Sequence, residues 1–254
     1  MKHLYSAALV IFFIILFGAS ATQKNAMVVP AKQTFTFDYK TPHPAQSGSA
    51  NFTIVLISPH YWSSFRYNNV DIFANYRRYI EKDIEQLLID KGFHVKGPFN
   101  SYDEMIFDDK KEADIAMEIS IEPTFTAADG SWKQYVPLAF SANPPTYYYY
   151  SGTVSLIGKI VLTGSEPLSH EKLWLKSVEI PSITDINVTT SNRNFAAPVA
   201  NAEFFNDPNV YNALGNALQQ QYANILSKMD AYLSPEDLHT LKPQIKELKN
   251  KKGY

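Results

Sequence analysis

Cysteine is absent from this chain of 254 residues, which excludes several kinds of chemistry at once. Disulfide bonds, thiolate metal sites, cysteine nucleophiles and lipidation of an N-terminal cysteine all require it. Glycine is also scarce, with 10 residues, so there is little material for a glycine-rich phosphate loop. The chain has no basic excess either, with 23 Lys and Arg against 25 Asp and Glu. We therefore expect no nucleic-acid partner and no bound cofactor.

The N-terminus has the pattern of a secretory signal peptide. Lys2 and His3 precede an apolar run over residues 7–17, and a bilayer span needs about 20 residues, so this run is too short to cross comfortably. Small residues at 18–21 suit a signal peptidase. We expect an exported protein with a signal peptide at 1–21, cleaved after Ala21, and a single domain over 22–254. An uncleaved signal anchor is the alternative.

A serine stands where a lipoprotein signal would carry its acceptor cysteine. The stretch Leu16 to Ser20 otherwise looks like such a signal. We therefore expect no lipid anchor, and a protein that is either soluble in the periplasm or held in the envelope by protein contacts.

Hydrophobic periodicity predicts an α+β fold. We expect a mixed sheet of five to six strands, helices packed mainly on one face, and a helical segment at the C-terminus. Apolar steps of three and four predict long helices over 72–88 and 210–229, with Gly92 ending the first. Ser234 and Pro235 have the pattern of a cap and first turn for a last helix. The predicted strands are 33–39, 52–57, 93–95, 115–121, 153–162 and 172–180, with irregular segments at 123–151 and 181–207.

No catalytic pattern is present in the sequence. A serine hydrolase often carries its serine in G-x-S-x-G, which does not occur, and the histidines are scattered singly without a partner at ligand spacing. We therefore expect no catalytic residues, no metal site and no enzyme activity.

Aromatic residues concentrate between Phe125 and Tyr150, a segment predicted to be irregular. Tyrosine and tryptophan suit a surface that is partly apolar and partly wet, where a protein or a sugar ring is bound. We predict a ligand-binding site at Trp132, Lys133 and Tyr135. The alternative is that the consecutive tyrosines at 147–150 alternate in an edge strand, half packed on the core and half exposed.

The chain resembles the neuraminyllactose-binding haemagglutinin (HpaA-like) family of bacterial adhesins. The matching residues occur in the same order across essentially all of the expected mature chain. They are Phe37–Tyr39, His43–Ala45, Ile84–Leu88, Lys91–Val95, Phe107–Lys111, Asp114–Met117, Tyr222–Asp230 and Lys246–Lys249.

This resemblance implies an adhesin-like envelope protein of a Gram-negative bacterium, associated with the outer membrane or flagellar sheath and binding sialylated host glycans. Two departures matter: the lipidated cysteine is missing, and the family's Lys/Arg-rich segment is represented at 126–135 by Lys133 alone. A structural envelope or flagellar-sheath protein that contacts other bacterial components, without lectin activity, is the alternative. The expected partner is thus a host glycan, a host protein or another envelope protein.

Overall fold

The computed structural model describes residues 29–126, 131–136, 144, 146–191 and 201–252, so the predicted signal peptide lies outside the described residues. Residues 31–254 form one compact unit. Its described strands build a single mixed sheet. They are β1 Thr53–Ile57, β2 His60–Tyr61, β3 His94–Phe99, β4 Ile115–Thr126, β5 Ser131–Tyr135, β6 Tyr147–Ser165 and β7 Lys172–Thr189.

Two long helices account for most of the helical part. The described helices are α1 Asp71–Asp90, α2 Phe107–Glu112, α3 Ala202–Asn206, α4 Pro208–Tyr232, α5 Pro235–His239 and α6 Lys242–Lys252, with a 3-10 turn at Tyr102–Glu104. Apolar side chains of α1 and α4 join those of the sheet in one core. The predicted α+β class, with helices mainly on one face and a helical C-terminus, is confirmed.

The sheet is parallel in its first half and antiparallel in its second. β1 lies between β3 and β4 and is parallel to both, as the pairs Ile54 with Val95 and Ile54 with Ile115 show. β6 then runs antiparallel to β4 on one side and to β7 on the other. α1 connects the parallel strands β1 and β3 as a crossover helix. Gly92 follows the end of α1, and its φ of +85° is the left-handed conformation expected after a helix.

The segment 33–39 is the clearest correction to the sequence analysis. It is extended but pairs with no strand, so the predicted strand is wrong. Phe35 and Phe37 are nonetheless buried, because the alternating side chains pack on α1 and α4. Helix side chains take the place of a neighbouring strand as hydrogen-bond partners: Asn212 accepts from the Gln33 amide (2.8 Å), Asn75 donates to the Phe35 carbonyl (3.1 Å) and Gln219 donates to the Thr36 carbonyl (2.6 Å).

Phe37 is the centre of an aromatic contact between the two long helices. Its ring centroid lies 5.3 Å from that of Tyr76 on α1 and 5.2 Å from that of Tyr222 on α4. Beside it lies the buried Asp83, which accepts hydrogen bonds from the Tyr222 hydroxyl (2.9 Å) and the Tyr39 amide (3.1 Å). Full burial of a phenylalanine contributes about 1.5–3 kcal/mol, so this contact holds both helices and the segment together.

Two other segments differ from their predicted form. Residues 181–189, predicted as loop, continue β7, because their apolar members Ile183, Ile186 and Val188 pack on the core while Thr184 and Asn187 are exposed. The last helix is two helices: Ser234 caps α5 by accepting from the Asp237 amide, as predicted, but α5 ends at His239. α6 then starts anew at Lys242, where Pro243 lies in the first turn and cannot continue a preceding helix.

Gly215 on α4 is where the segment 33–39 approaches the helix most closely. A β-carbon at this position would lie 2.1 Å from the Cε2 atom of Phe35. We expect Gly215→Ala to lower the free energy of unfolding by about 1 kcal/mol or more, because overpacking exceeds the roughly 1 kcal/mol gained in helix propensity. Urea unfolding measures this. The exposed neighbour Asn216→Ala is the control, and a stabilised Gly215→Ala protein would contradict the close contact.

Asp83 makes stability depend on pH. Burial raises the pKa of its carboxyl above the ordinary value, although the hydrogen bond from Tyr222 acts in the opposite direction. The folded protein therefore binds this proton more tightly than the unfolded chain does, so the stability contributed by Asp83 is largest below the unfolded-state pKa of about 4 and falls as pH rises through the folded-state pKa.

We therefore expect the stability of Asp83→Asn relative to the unsubstituted protein to increase from about pH 4 to about pH 7. Urea unfolding at a series of pH values measures the difference. A difference that stays constant, or that falls with rising pH, would show that the carboxyl of Asp83 is not the titrating group.

Candidate binding surface

One face of the sheet carries no described helix over β4, β6 and β7. Alternate residues of these strands point away from α1 and α4, and exposed apolar side chains occur among them, with Ile157 at 46% and Leu175 at 58% exposure. We call this surface the open face. It consists of Glu118, Ser120, Glu122 and Thr124 on β4, Ile157, Lys159, Val161 and Thr163 on β6, and Leu175, Ser177 and Glu179 on β7.

Charged side chains cross the open face in one row. Lys159 on β6 is paired in register with Glu122 on one side and with Glu179 on the other. Its Nζ atom lies 3.4 Å from the Glu122 carboxylate. A second carboxylate, that of Glu118, lies 3.7 Å from the Nε2 atom of His60 on β2. Glu118, Glu122 and Glu179 therefore share this surface with two lysines, Lys159 and Lys172, which leaves a small excess of carboxylates.

The aromatic segment predicted to be irregular is a two-stranded extension of the sheet. β5 and the first residues of β6 pair antiparallel over Ser131–Tyr135 and Tyr147–Ser151, and we call this pair the arm. The prediction of an irregular chain over 123–151 is therefore wrong where the structure describes it: β4 continues to Thr126 and β5 follows. Residues 127–130, 137–143 and 145 lie outside the described residues.

A register step of one residue separates β4 from β5. Thr126 pairs with Ser155 and Ser131 pairs with Ser151, so five steps on one strand match four on β6. Odd-numbered residues of β4, such as Ile121, face the core, whereas even-numbered residues of β5 do so. This change of face could not be read from the sequence, because it depends on how many residues β6 supplies opposite the gap.

The structure places the three predicted site residues on two different faces. Trp132 is on the helix side, with its ring centroid 5.3 Å from that of Tyr150 and 5.7 Å from that of Phe204. Lys133 and Tyr135 are exposed on the opposite side. There they pair in register with Tyr149 and Tyr147, respectively. One surface of the arm therefore carries Lys133, Tyr135, Tyr147 and Tyr149, while Trp132 on the other surface packs on the core.

Trp62 is a surface aromatic residue that the sequence analysis did not single out. It follows β2 and is 40% exposed, whereas its neighbour Tyr61 is buried and donates its hydroxyl to the Phe73 carbonyl. Its ring borders a groove of about 490 Å³ that also contacts Ile157 and Lys159 of the open face. The sequence signal that could have pointed to Trp62 is the pair of consecutive aromatic residues, Tyr61 and Trp62, shortly after Pro59.

Side chains suited to metal binding do not converge in the part of the chain that the structure describes. No group of three or more His, Asp or Glu residues there could hold a metal ion. His239 instead contacts the Ala50 carbonyl with Nε2, which fastens α5 to the loop before β1. The absence of enzyme activity and of a cofactor stays a prediction.

The fold and the open face together define an α+β sheet protein in which one face of the sheet carries no described helix. Its fold is similar to that of a homolog of neuraminyllactose-binding hemagglutinin from Helicobacter pylori, with a TM-score of 0.54 and 13% identity over 85% of this chain and 100% of that one. A DUF330-family protein from Xanthomonas campestris matches with a TM-score of 0.40 and 7% identity over 85% and 99%. The first likeness shows a shared fold.

No protein-family model matches the chain, and no curated protein matches it. Among the described residues, no helix is both long enough and apolar enough to cross a membrane.

Substitutions on the two faces of the arm should lower the free energy of unfolding by different amounts. Trp132→Ala removes a half-buried ring from contact with Tyr150 and Phe204, so we expect the free energy of unfolding to fall by about 2 kcal/mol. Lys133→Ala and Tyr135→Ala remove exposed side chains, and we expect less than about 1 kcal/mol for each. Urea unfolding compares the three. Equal losses at Trp132 and Tyr135 would show that the faces are assigned wrongly.

Proposed function

We propose that this protein is an adhesin-like component of the envelope of a Gram-negative bacterium, and that it binds a host glycan or protein without catalysing a reaction. The observation that supports this most directly is the open face continued by the outer surface of the arm. A rigid sheet there presents Lys133, Tyr135 and Trp62 to solvent. Exposed aromatic residues on such a scaffold suit recognition of a partner. The fold shared with the hemagglutinin homolog agrees with this role.

A sialylated glycan is the ligand that we propose for the arm. Its carboxylate needs a charge-assisted donor, and Lys133 is exposed beside the tyrosines of β6. The open face suits the same carboxylate less well, because its three glutamates outnumber Lys159 and Lys172. A sialylated ligand would therefore lie on the arm, with sugar rings packed on Tyr135 and Tyr147.

A structural envelope or flagellar-sheath protein is the second candidate. The acidity of the open face favours it, since a basic protein surface would complement these carboxylates and a sialylated host glycan would not. Cross-linking in intact cells separates the two: the structural role requires a bacterial partner, and surface exposure without one would argue against it.

Glycan arrays test the proposed ligand. We expect the purified protein to bind sialylated glycans in preference to their neutral counterparts. The double variant Lys133→Ala/Tyr135→Ala should reduce that binding about tenfold or more, because a charged hydrogen bond and an aromatic contact are both lost.

The matched control is Lys228→Ala/Tyr232→Ala, which removes the same two residue types from the exposed side of α4. Unchanged binding by this control would assign the loss to the arm. No preference for sialylated over neutral glycans would refute the lectin role, whereas equal losses in both double variants would show that the arm is not the site.

A further inference from the structure

A second concave site lies on the helix side of the molecule and shares no residue with the open face. It is a groove of about 730 Å³ between α1, the segment 33–35 and Tyr211 of α4. This volume is within the range of about 300–1,000 Å³ that is usual for small-molecule sites. The groove is open at its mouth and can accept a polar ligand without rearrangement of the core.

The groove lies where open α/β sheets usually bind ligands. Ser58 and Asn100 border it, and they directly follow the carboxyl ends of the parallel strands β1 and β3. The Ser58 amide donates to the Phe99 carbonyl (2.8 Å), which fixes the two strand ends beside each other. The groove therefore lies outside the carboxyl ends of two adjacent parallel strands, the edge of an open sheet at which ligands usually bind.

Two adjacent arginines line the groove from α1. The sequence contains four arginines, and Arg77 and Arg78 are half of them. The guanidinium of Arg78 donates to the side-chain oxygen of Asn75 (2.7 Å) and lies 5.2 Å from the centre of the Tyr79 ring. These contacts orient Arg78 but use few of its five N–H donors. In the described part of the structure, Arg77 makes no hydrogen bond or ion pair with an acceptor.

The acidic residues of the groove offset these charges only in part. Asp71 is paired with Lys32, whose Nζ atom lies 2.9 Å from its carboxylate. Lys32 also lies over the Tyr211 ring, 4.8 Å from its centre, which keeps it at that end of the groove. Glu81, one helical turn after Arg77, is the other carboxylate that lines the groove. An anionic ligand that binds both arginines therefore competes with a single carboxylate, that of Glu81, for their guanidinium groups.

We infer that this groove binds a small molecule that carries a carboxylate or a phosphate on a polar, hydroxylated body. The planar guanidinium matches both oxyanions with paired hydrogen bonds, which a lysine cannot do. Amide and hydroxyl groups of Gln33, Thr34 and Ser58 line the same groove and can bond to the hydroxyls of such a body. The inference does not depend on the proposed function, because the arm and the groove are separate.

Isothermal titration calorimetry with glucose 6-phosphate, glucuronate and glucose tests the inference on the full protein. We expect at least one of the two acidic sugars to bind, more weakly as ionic strength rises, and glucose not to bind. The acidic sugar that binds identifies the oxyanion. Absence of binding by both, or equal binding of glucose, would overturn the inference.

Substitutions locate the binding. Arg77→Ala and Arg78→Ala should each weaken it about tenfold or more, Arg77→Lys should weaken it less than Arg77→Ala, and Glu81→Gln should strengthen it. Arg66→Ala, an exposed arginine outside the groove, is the matched control and should leave binding unchanged. Binding that survives both alanine substitutions would overturn the inference. A sialic acid also carries a carboxylate on a hydroxylated body, so the glycan array is repeated with Arg77→Ala. Unchanged binding keeps the sialylated ligand on the arm, whereas its loss would assign that ligand to the groove and refute the arm as its site.

Discussion

The fold depends on the contact between two long helices through Phe37 and Asp83. Neither α1 nor α4 covers the sheet alone, and the segment 33–39 fills the space between them with Phe35 and Phe37 while its carbonyls bond to helix side chains. Asp83 ties all three together, because its carboxylate accepts from Tyr222 on α4 and from the Tyr39 amide. A buried carboxyl in this position is tolerated because both donors compensate part of its lost hydration.

Because α1 and α4 pack on the same side of the sheet, the two sides of the molecule differ in the residues that they expose. The helix side closes over aromatic rings and carries the arginine-lined groove at the ends of β1 and β3. On the other side, the 3-10 turn and its flanks cover Val55 and Ile57 of β1 and Ala116 of β4, but no described helix packs on the open face. One sheet therefore presents two chemically distinct sites: an acidic, partly aromatic face and a groove with two guanidiniums.

The long periodic elements could be predicted from sequence, and the placement of short polar segments could not. α1 with its terminal Gly92, the core of α4 and the Ser234 cap all follow from local rules of spacing and hydrogen bonding. The segment 33–39 has the alternation of a strand, but its pairing partners are helix side chains far away in sequence. Trp132 lies on a different face from Lys133 and Tyr135 for a similar reason, because the face of each residue of β5 is set by its register with β6.

The regularity of β6 has a consequence for how this protein can vary. Along its 19 residues the strand has no extra residue of its own, and the irregularities in its ladder with β7 are all absorbed by β7. Tyr150 and Leu162, near opposite ends of β6, are an even number of residues apart, and both therefore face the core. A single-residue insertion or deletion within β6 would move every following side chain to the other face of the sheet, so that buried rings would become exposed. Evolutionary drift in the length of β6 is therefore restricted to steps of two or to its ends, while β7 is free to accumulate bulges.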